Sequence, residues 1–175
     1  MKFRNWKRLA AAVLAGPVLL ACASCASRGG GACAGGESRD EAQASAPIDA
    51  VALADSLAGT VPFVDQMTPL ELDAAVNVYG IDSAAVSAGK AYVSTGATAE
   101  EIAVFTAADA GQVETVRAAL EKRVEDQKAA YTNYQPQEMT KLSDPVIETR
   151  GDTVILCVSD DNSAALSVID EAAAG

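Results

Sequence analysis

Between Ala23 and Ala46 the chain offers almost nothing to bury. The stretch is Gly, Ala, Ser, Cys and charged residues, with Arg28-Gly29-Gly30-Gly31-Ala32-Cys33-Ala34-Gly35-Gly36 at its centre. Such a composition cannot remove enough apolar surface from water to offset the entropy lost on ordering. It reads as a flexible tether over residues 22–46, and it confines folding to residues 47–175, a length suited to one domain. Half of all residues are hydrophobic but only 5 % are aromatic, so the core must be built from small side chains.

Ahead of the tether, Lys2, Arg4, Lys7 and Arg8 form a positive segment, and Leu9 to Leu20 then carries no charge. This is the layout of an export signal, predicted over residues 1–21. The apolar run is short for a span of about 30 Å of hydrocarbon and contains Pro17, which disturbs a spanning helix. Leu19-Leu20-Ala21-Cys22 resembles the bacterial lipobox. That resemblance implies cleavage after Ala21 and a diacylglycerol, with acyl chains such as palmitate, on Cys22. The competing reading is an ordinary cleaved signal using Ala21-Cys22-Ala23. With lipidation, the expected location is the outer, extracytoplasmic face of the cell membrane.

Cleavage changes the charge arithmetic. The whole chain has 13 basic and 24 acidic residues, a net charge of −11. Removing residues 1–21 takes away four basic and no acidic side chains, leaving nine against 24, or −15. A domain so acidic is a poor partner for nucleic acid and is repelled by anionic headgroups, so it should stand off on its tether. The chain has no histidine, which excludes His-based triads, His–metal sites and imidazole switches. Cys25 and Cys33 can pair with each other outside the cytoplasm, as a local clip. Once Cys22 is lipidated, the two thiols left nearby make no metal site.

Periodicity predicts the elements of residues 47–175. Ile48 to Leu57 has helical spacing, with Gly59 as a stop. Thr68-Pro69-Leu70-Glu71 reads as a helix start with a capping box, after which Leu72, Ala75, Val76 and Tyr79 share a face and Gly80 suits a left-handed cap. Lys90–Ser94 and Glu101–Thr106 read as one hairpin, and Val146–Arg150 with Thr153–Ser159 as a second around Gly151. Between them lies a long helix beginning after a cap at Asp109. Its stripe is Val113, Val116, Leu120, Val124, Gln127 and Tyr131, and its solvated face carries Glu114, Arg117, Glu121, Lys122, Glu125 and Lys128. Asp160 or Asp161 should cap a last helix. The order α-α-β-β-α-β-β-α predicts an α+β fold: an antiparallel four-stranded sheet with helices mainly on one face. Val154-Ile155-Leu156-Cys157-Val158 is apolar on both sides, which places it centrally and makes Cys157 a small buried hydrophobe.

Tyr79-Gly80-Ile81-Asp82, then Gly96-Ala97-Thr98-Ala99-Glu100-Glu101-Ile102-Ala103-Val104-Phe105, then a long helix closing near Tyr131 and Tyr134-Gln135-Pro136, carry a further resemblance. They look like an uncharacterised bacterial lipoprotein family whose domain, of unknown function, is numbered forty-three fifty-eight. The resemblance implies an extracytoplasmic, membrane-tethered domain, commonly in Gram-positive anaerobes. It supplies no catalytic residues and no cofactor.

Other motifs have structural accounts. Glu100 and Glu101 can satisfy backbone donors or pair with Lys90 or Arg117. As an acid and base they would need a cleft and one raised pKa. Arg150-Gly151-Asp152 is an adhesion tripeptide at a hairpin tip, where Gly151 also simply allows the turn. Asp160-Asp161-Asn162-Ser163 lacks the spacing of a calcium loop and suits helix capping. Ser56, Ser94 and Ser143 have no histidine base, and pairing of Ser94 with Lys90 lacks a supporting motif. Two functions follow from these residues: a lipid-anchored module that binds or scaffolds an extracytoplasmic protein or cell-wall ligand, or an extracytoplasmic enzyme using Glu, Asp or Lys.

Overall fold

The computed structural model describes residues 47–174. The signal segment, Ala21, Cys22, Cys25, Cys33 and the tether lie outside the described residues. Five helices and five strands are described. They are α1 (Ala50–Thr60), β1 (Thr68–Glu71), α2 (Leu72–Tyr79), β2 (Val86–Val93), β3 (Glu101–Ala107), α3 (Val113–Tyr134), α4 (Met139–Ser143), β4 (Val146–Arg150), β5 (Thr153–Val158) and α5 (Asn162–Ala174). The strands form one antiparallel sheet in the order β1-β2-β3-β5-β4.

Both predicted hairpins form, and the sheet is antiparallel, but it has five strands where four are expected. The additional strand is the segment that reads as a helix start. Thr68–Glu71 pairs with Lys90–Val93 in the register Thr68↔Val93 to Glu71↔Lys90. Pairing satisfies the outer backbone groups of β2, and Pro69 is tolerated because β1 is an edge strand. Tertiary hydrogen bonding thus overrides a local capping signal. Helix α2 starts at Leu72, with no side-chain cap from Glu71, and ends on Gly80 in the left-handed region at φ 64°. The first helix begins two residues later than expected, capped by the Asp49 carboxylate on the amides of Val51 and Ala52, and it runs through Gly59 to Thr60. Asp109 stands in a turn, accepting from the Gly111 amide, and α3 starts only at Val113.

Helices cover both faces of the sheet, not mainly one. Alternation along the interior strands makes two cores. Ala103 and Phe105 of β3 with Val154, Leu156 and Val158 of β5 pack under α2, α3 and Leu142 of α4. Ile102 and Val104 with Ile155 and Cys157 pack against Leu53, Ala54 and Leu57 of α1 and Ala165 and Ile169 of α5. Of the three interior strands β2, β3 and β5, the last two lie under helices on both faces, and each is apolar on both sides for that reason. Cys157 is fully buried, as expected for a small hydrophobe.

A cluster of buried ions beside two clefts

The Gly96–Phe105 motif is the connection from β2 into β3, and the structure gives most of its residues a task. Gly96 holds φ 92°, a conformation that side chains disfavour. Ala99 is buried in the core, and its amide donates to Glu138 Oε2 at 2.9 Å. Phe105 meets Tyr79 edge-on at 5.4 Å, so the two halves of the motif pack together. Gly80 ends α2, Ile81 is buried, and the Asp82 carboxylate accepts from the Ala84 amide. Ala97 is exposed at the turn.

Glu100 and Glu101 are each 1 % exposed, yet have separate partners. Glu100 accepts from the amides of Val64 and Asp65 at 3.0 and 2.9 Å, from the Thr98 hydroxyl at 3.0 Å and from Lys141 Nζ at 3.1 Å. Lys141 also reaches Glu138 at 3.2 Å and Asp160 at 3.3 Å. Burial pushes the Glu100 carboxyl pKa up. The donations from Val64, Asp65, Lys141 and Thr98 outweigh it and hold the group below its ordinary value. Burial likewise lowers the Lys141 ammonium, and the acceptors Glu100 and Glu138 more than reverse this, leaving its pKa raised.

Glu101, in β3, is gripped from α3. Arg123 donates through Nε to Oε1 at 3.0 Å and through Nη2 to Oε2 at 2.9 Å, a bidentate fork, and the Gln127 side-chain amide donates to Oε2. The Arg123 guanidinium lies 5.8 Å from the centre of the Tyr79 ring. The Tyr79 hydroxyl is buried near Glu101 without the geometry of a hydrogen bond. Burial, and then the Glu101 charge, push its pKa well up, so it stays a neutral phenol. Two clefts share Arg123 and Asp126. One, of about 310 Å³, runs past Asn77, Tyr79 and Lys122; the other, of about 210 Å³, runs past Ser94, Gly96, Gln127 and Tyr131.

Several sequence expectations are settled by these contacts. Glu100 does satisfy backbone donors, but neither acid pairs with Lys90 or Arg117. Lys90 binds Asp55 at 2.7 Å, and Arg117 binds Glu121 on its own helix. Ser94 is not paired with Lys90; its hydroxyl donates to the Thr98 carbonyl at 2.6 Å. Gly151 sits at the tip of the second hairpin with φ 61°, and Arg150 is held by Glu148 and by Asp170 at 3.1 Å. Asp161 is the cap, accepting from the Ala164 amide at 3.0 Å. Arg123, Glu138 and Lys141 are the partners that sequence reasoning missed. Gln127 carried a signal, since it is an amide inside an otherwise apolar stripe.

Residues 62–159, more than half of the chain, match the family described as Domain of unknown function (DUF4358). The match spans all five strands with α2, α3 and α4, and it leaves α1 and α5 outside. Neither the curated proteins nor the solved structures contain a match. With Tyr79, Gly96–Phe105, Arg123, Glu138 and Lys141 all inside the matched span, the chain belongs to this family of domains of unknown function.

Proposed function

We propose that the protein is a cell-surface lipoprotein whose acidic domain is a binding or scaffolding module outside the membrane, tethered through a diacylglycerol on Cys22. The sequence Leu19-Leu20-Ala21-Cys22 and the composition of residues 22–46 support the tether. Among the described residues no helix is long and apolar enough to cross a membrane.

The structural donors that occupy both carboxylates of the Glu100-Glu101 pair support a binding role over use of that pair as a general acid and base. Every described carboxyl group whose pKa departs from its ordinary value departs downward. Lys90 lowers Asp55, Thr95 lowers Asp65 and Ser163 lowers Asp161, and the donors around Glu100 overcome its burial. A carboxyl group that serves as a general acid near neutral pH needs the opposite shift. The paired acids of the motif are committed to holding the 61–66 segment, α3 and α4 in place.

Replacement of Cys22 by Ser tests the reading. The variant is expected to leave the membrane fraction, or to persist as an unprocessed precursor, while the parent carries an N-terminal acyl mass. Identical fractionation and identical N-terminal mass in the two proteins overturn the lipid tether.

A further inference from the structure

The sheet ends on two free edges that differ in what they offer a neighbour. β1 carries Pro69, which has no N–H to give, whereas β4 contains no proline. Arg150 and Thr153 flank a two-residue turn, so they form a hydrogen-bonded pair, and by alternation so do Glu148 with Ile155 and Val146 with Cys157. The N–H and C=O groups of Ile147 and Thr149 therefore point away from β5, to the free side. Among the described residues, the Thr149 carbonyl meets Arg150 Nη1 at 3.4 Å, and the other three groups have no partner. Helix α5 runs along this edge. Asn162 donates to the Asp144 carbonyl ahead of β4 at 2.7 Å, and Asp170 binds Arg150 at the end of the strand at 3.1 Å. Leu166, midway between them on the same helical row, is 36 % exposed. The opposite flank of α5, with Ala164 and Val168, faces α1 across a groove, so Leu166 stands on the flank toward β4. On the other face of the sheet a cleft of about 480 Å³ runs between Ile147 and Ala118, Glu121 and Val124 of α3.

The charges on this edge select its occupant. β4 carries one Glu and one Arg, a neutral stretch in a chain with a large acid excess. An antiparallel copy aligned about Glu148 sets Ile147 opposite Thr149 of the second copy, where each outward N–H meets an outward C=O. Arg150 then lies opposite Val146 of the second copy and on the diagonal of its Glu148, within reach of a long side chain. That contact offsets the facing of the two Glu148 side chains across the axis. Neighbouring strands lie about 4.8 Å apart, which brings the Leu166 flanks of the two α5 helices together over the seam. We propose that two copies of this chain pair through β4, antiparallel about Glu148, and join their five-stranded sheets into one. The same patch is used on both copies, and the remaining edges are the β1 strands blunted by Pro69, so assembly closes at the dimer. The dimer goes beyond the binding-module reading and does not depend on the lipid.

The test is sedimentation equilibrium of the full chain in density-matched detergent over a range of protein concentrations, where a monomer–dimer equilibrium is expected. Thr149→Pro removes an outward N–H, a change that an edge strand tolerates. Leu166→Glu sets like charges across the axis. Each should raise the dimer dissociation constant by about tenfold or more. Leu166 is on the surface, so its variant keeps the test open if circular dichroism shows that Thr149→Pro has not folded. Val51→Glu, at an exposed position of α1, which packs over β2 and β3 away from the seam, is the control and should leave the constant unchanged. In a chain carrying Cys25→Ser and Cys33→Ser, Glu148→Cys should form an inter-chain disulfide under mild oxidation, because facing Cα atoms in this class of pair lie about 4.5 Å apart. A parent chain that stays monomeric, a dimer undiminished in Leu166→Glu, an equal loss with Val51→Glu, or no inter-chain disulfide at position 148 overturns the proposal.

Discussion

Glu100 and Lys141, 41 residues apart in the chain, meet at 3.1 Å with side chains that are 0 % and 6 % exposed. A buried ion pair is weak evidence for stability when compared with an apolar pair, but removing one partner strands the other charge. Here the pair also ties four segments together. Glu100 holds the amides of Val64 and Asp65, and Lys141 holds Glu138 and Asp160. Glu100→Gln is expected to cost roughly 3–5 kcal/mol in urea unfolding, in the range for breaking a buried pair. Adding Lys141→Met should recover part of that loss, so the double variant is more stable than the sum of the two singles requires.

Acid should act through the same group. The Glu100 pKa is lower in the folded chain than its ordinary value of 4.5, so the unfolded chain binds the proton first as pH falls. Its contribution is complete above about 4.5 and is lost as pH drops through the folded value. The unfolding free energy of the parent should therefore fall with acid below that point. Glu100→Gln should show a shallower fall over the same window, measured by urea titrations at successive pH values.

Gly89 in β2 leaves no room for a side chain. A Cβ there would stand 2.4 Å from Phe105 Cδ1 and 2.7 Å from the Val104 carbonyl oxygen. The ring is fully buried edge-on against Tyr79, and the carbonyl belongs to the β2–β3 ladder, so neither can withdraw freely. Gly89→Ala should cost about 1–3 kcal/mol, the range for overpacking a core, seen as a lower thermal midpoint. Gly59→Ala, whose Cβ would meet nothing within 4 Å, is the control and should be neutral or stabilising within α1.

Legibility in the sequence followed the reach of each interaction. Period-two and period-3.6 patterns are local, and they gave both hairpins, α3 and the Gly80 and Asp161 caps. Thr68-Pro69-Leu70-Glu71 was misread because its fate depends on Lys90–Val93, some twenty residues on. Helices are expected mainly on one face and the structure has them on both; the unbroken apolar run of β5 carries that information, since a strand buried on both sides needs a cover on both, but in the sequence it is read only as a central position. The ion cluster was half legible. Glu100-Glu101 stood out as adjacent acids at the start of an apolar strand, and Gln127 as an amide in a buried stripe. Lys141 had no such mark, because a lysine in a short polar helix looks the same whether it meets water or three carboxylates.

The thiol of Cys157 gives a direct check on the placement of β5. Burial pushes its pKa up, against a lowering contribution from Ser159, to about 12. At pH 8 the thiolate, the form that reacts, is then on the order of one part in ten thousand. The surrounding layer of Ile155, Ala165 and Ile169 also keeps reagent out. Iodoacetamide applied to the folded chain at pH 8 should leave Cys157 unmodified, and urea should expose it to full labelling. Peptide mass mapping separates this site from Cys25 and Cys33. Labelling of Cys157 at the same rate with and without urea would mean that the strand is not covered by α1 and α5, and the second core would have to be abandoned.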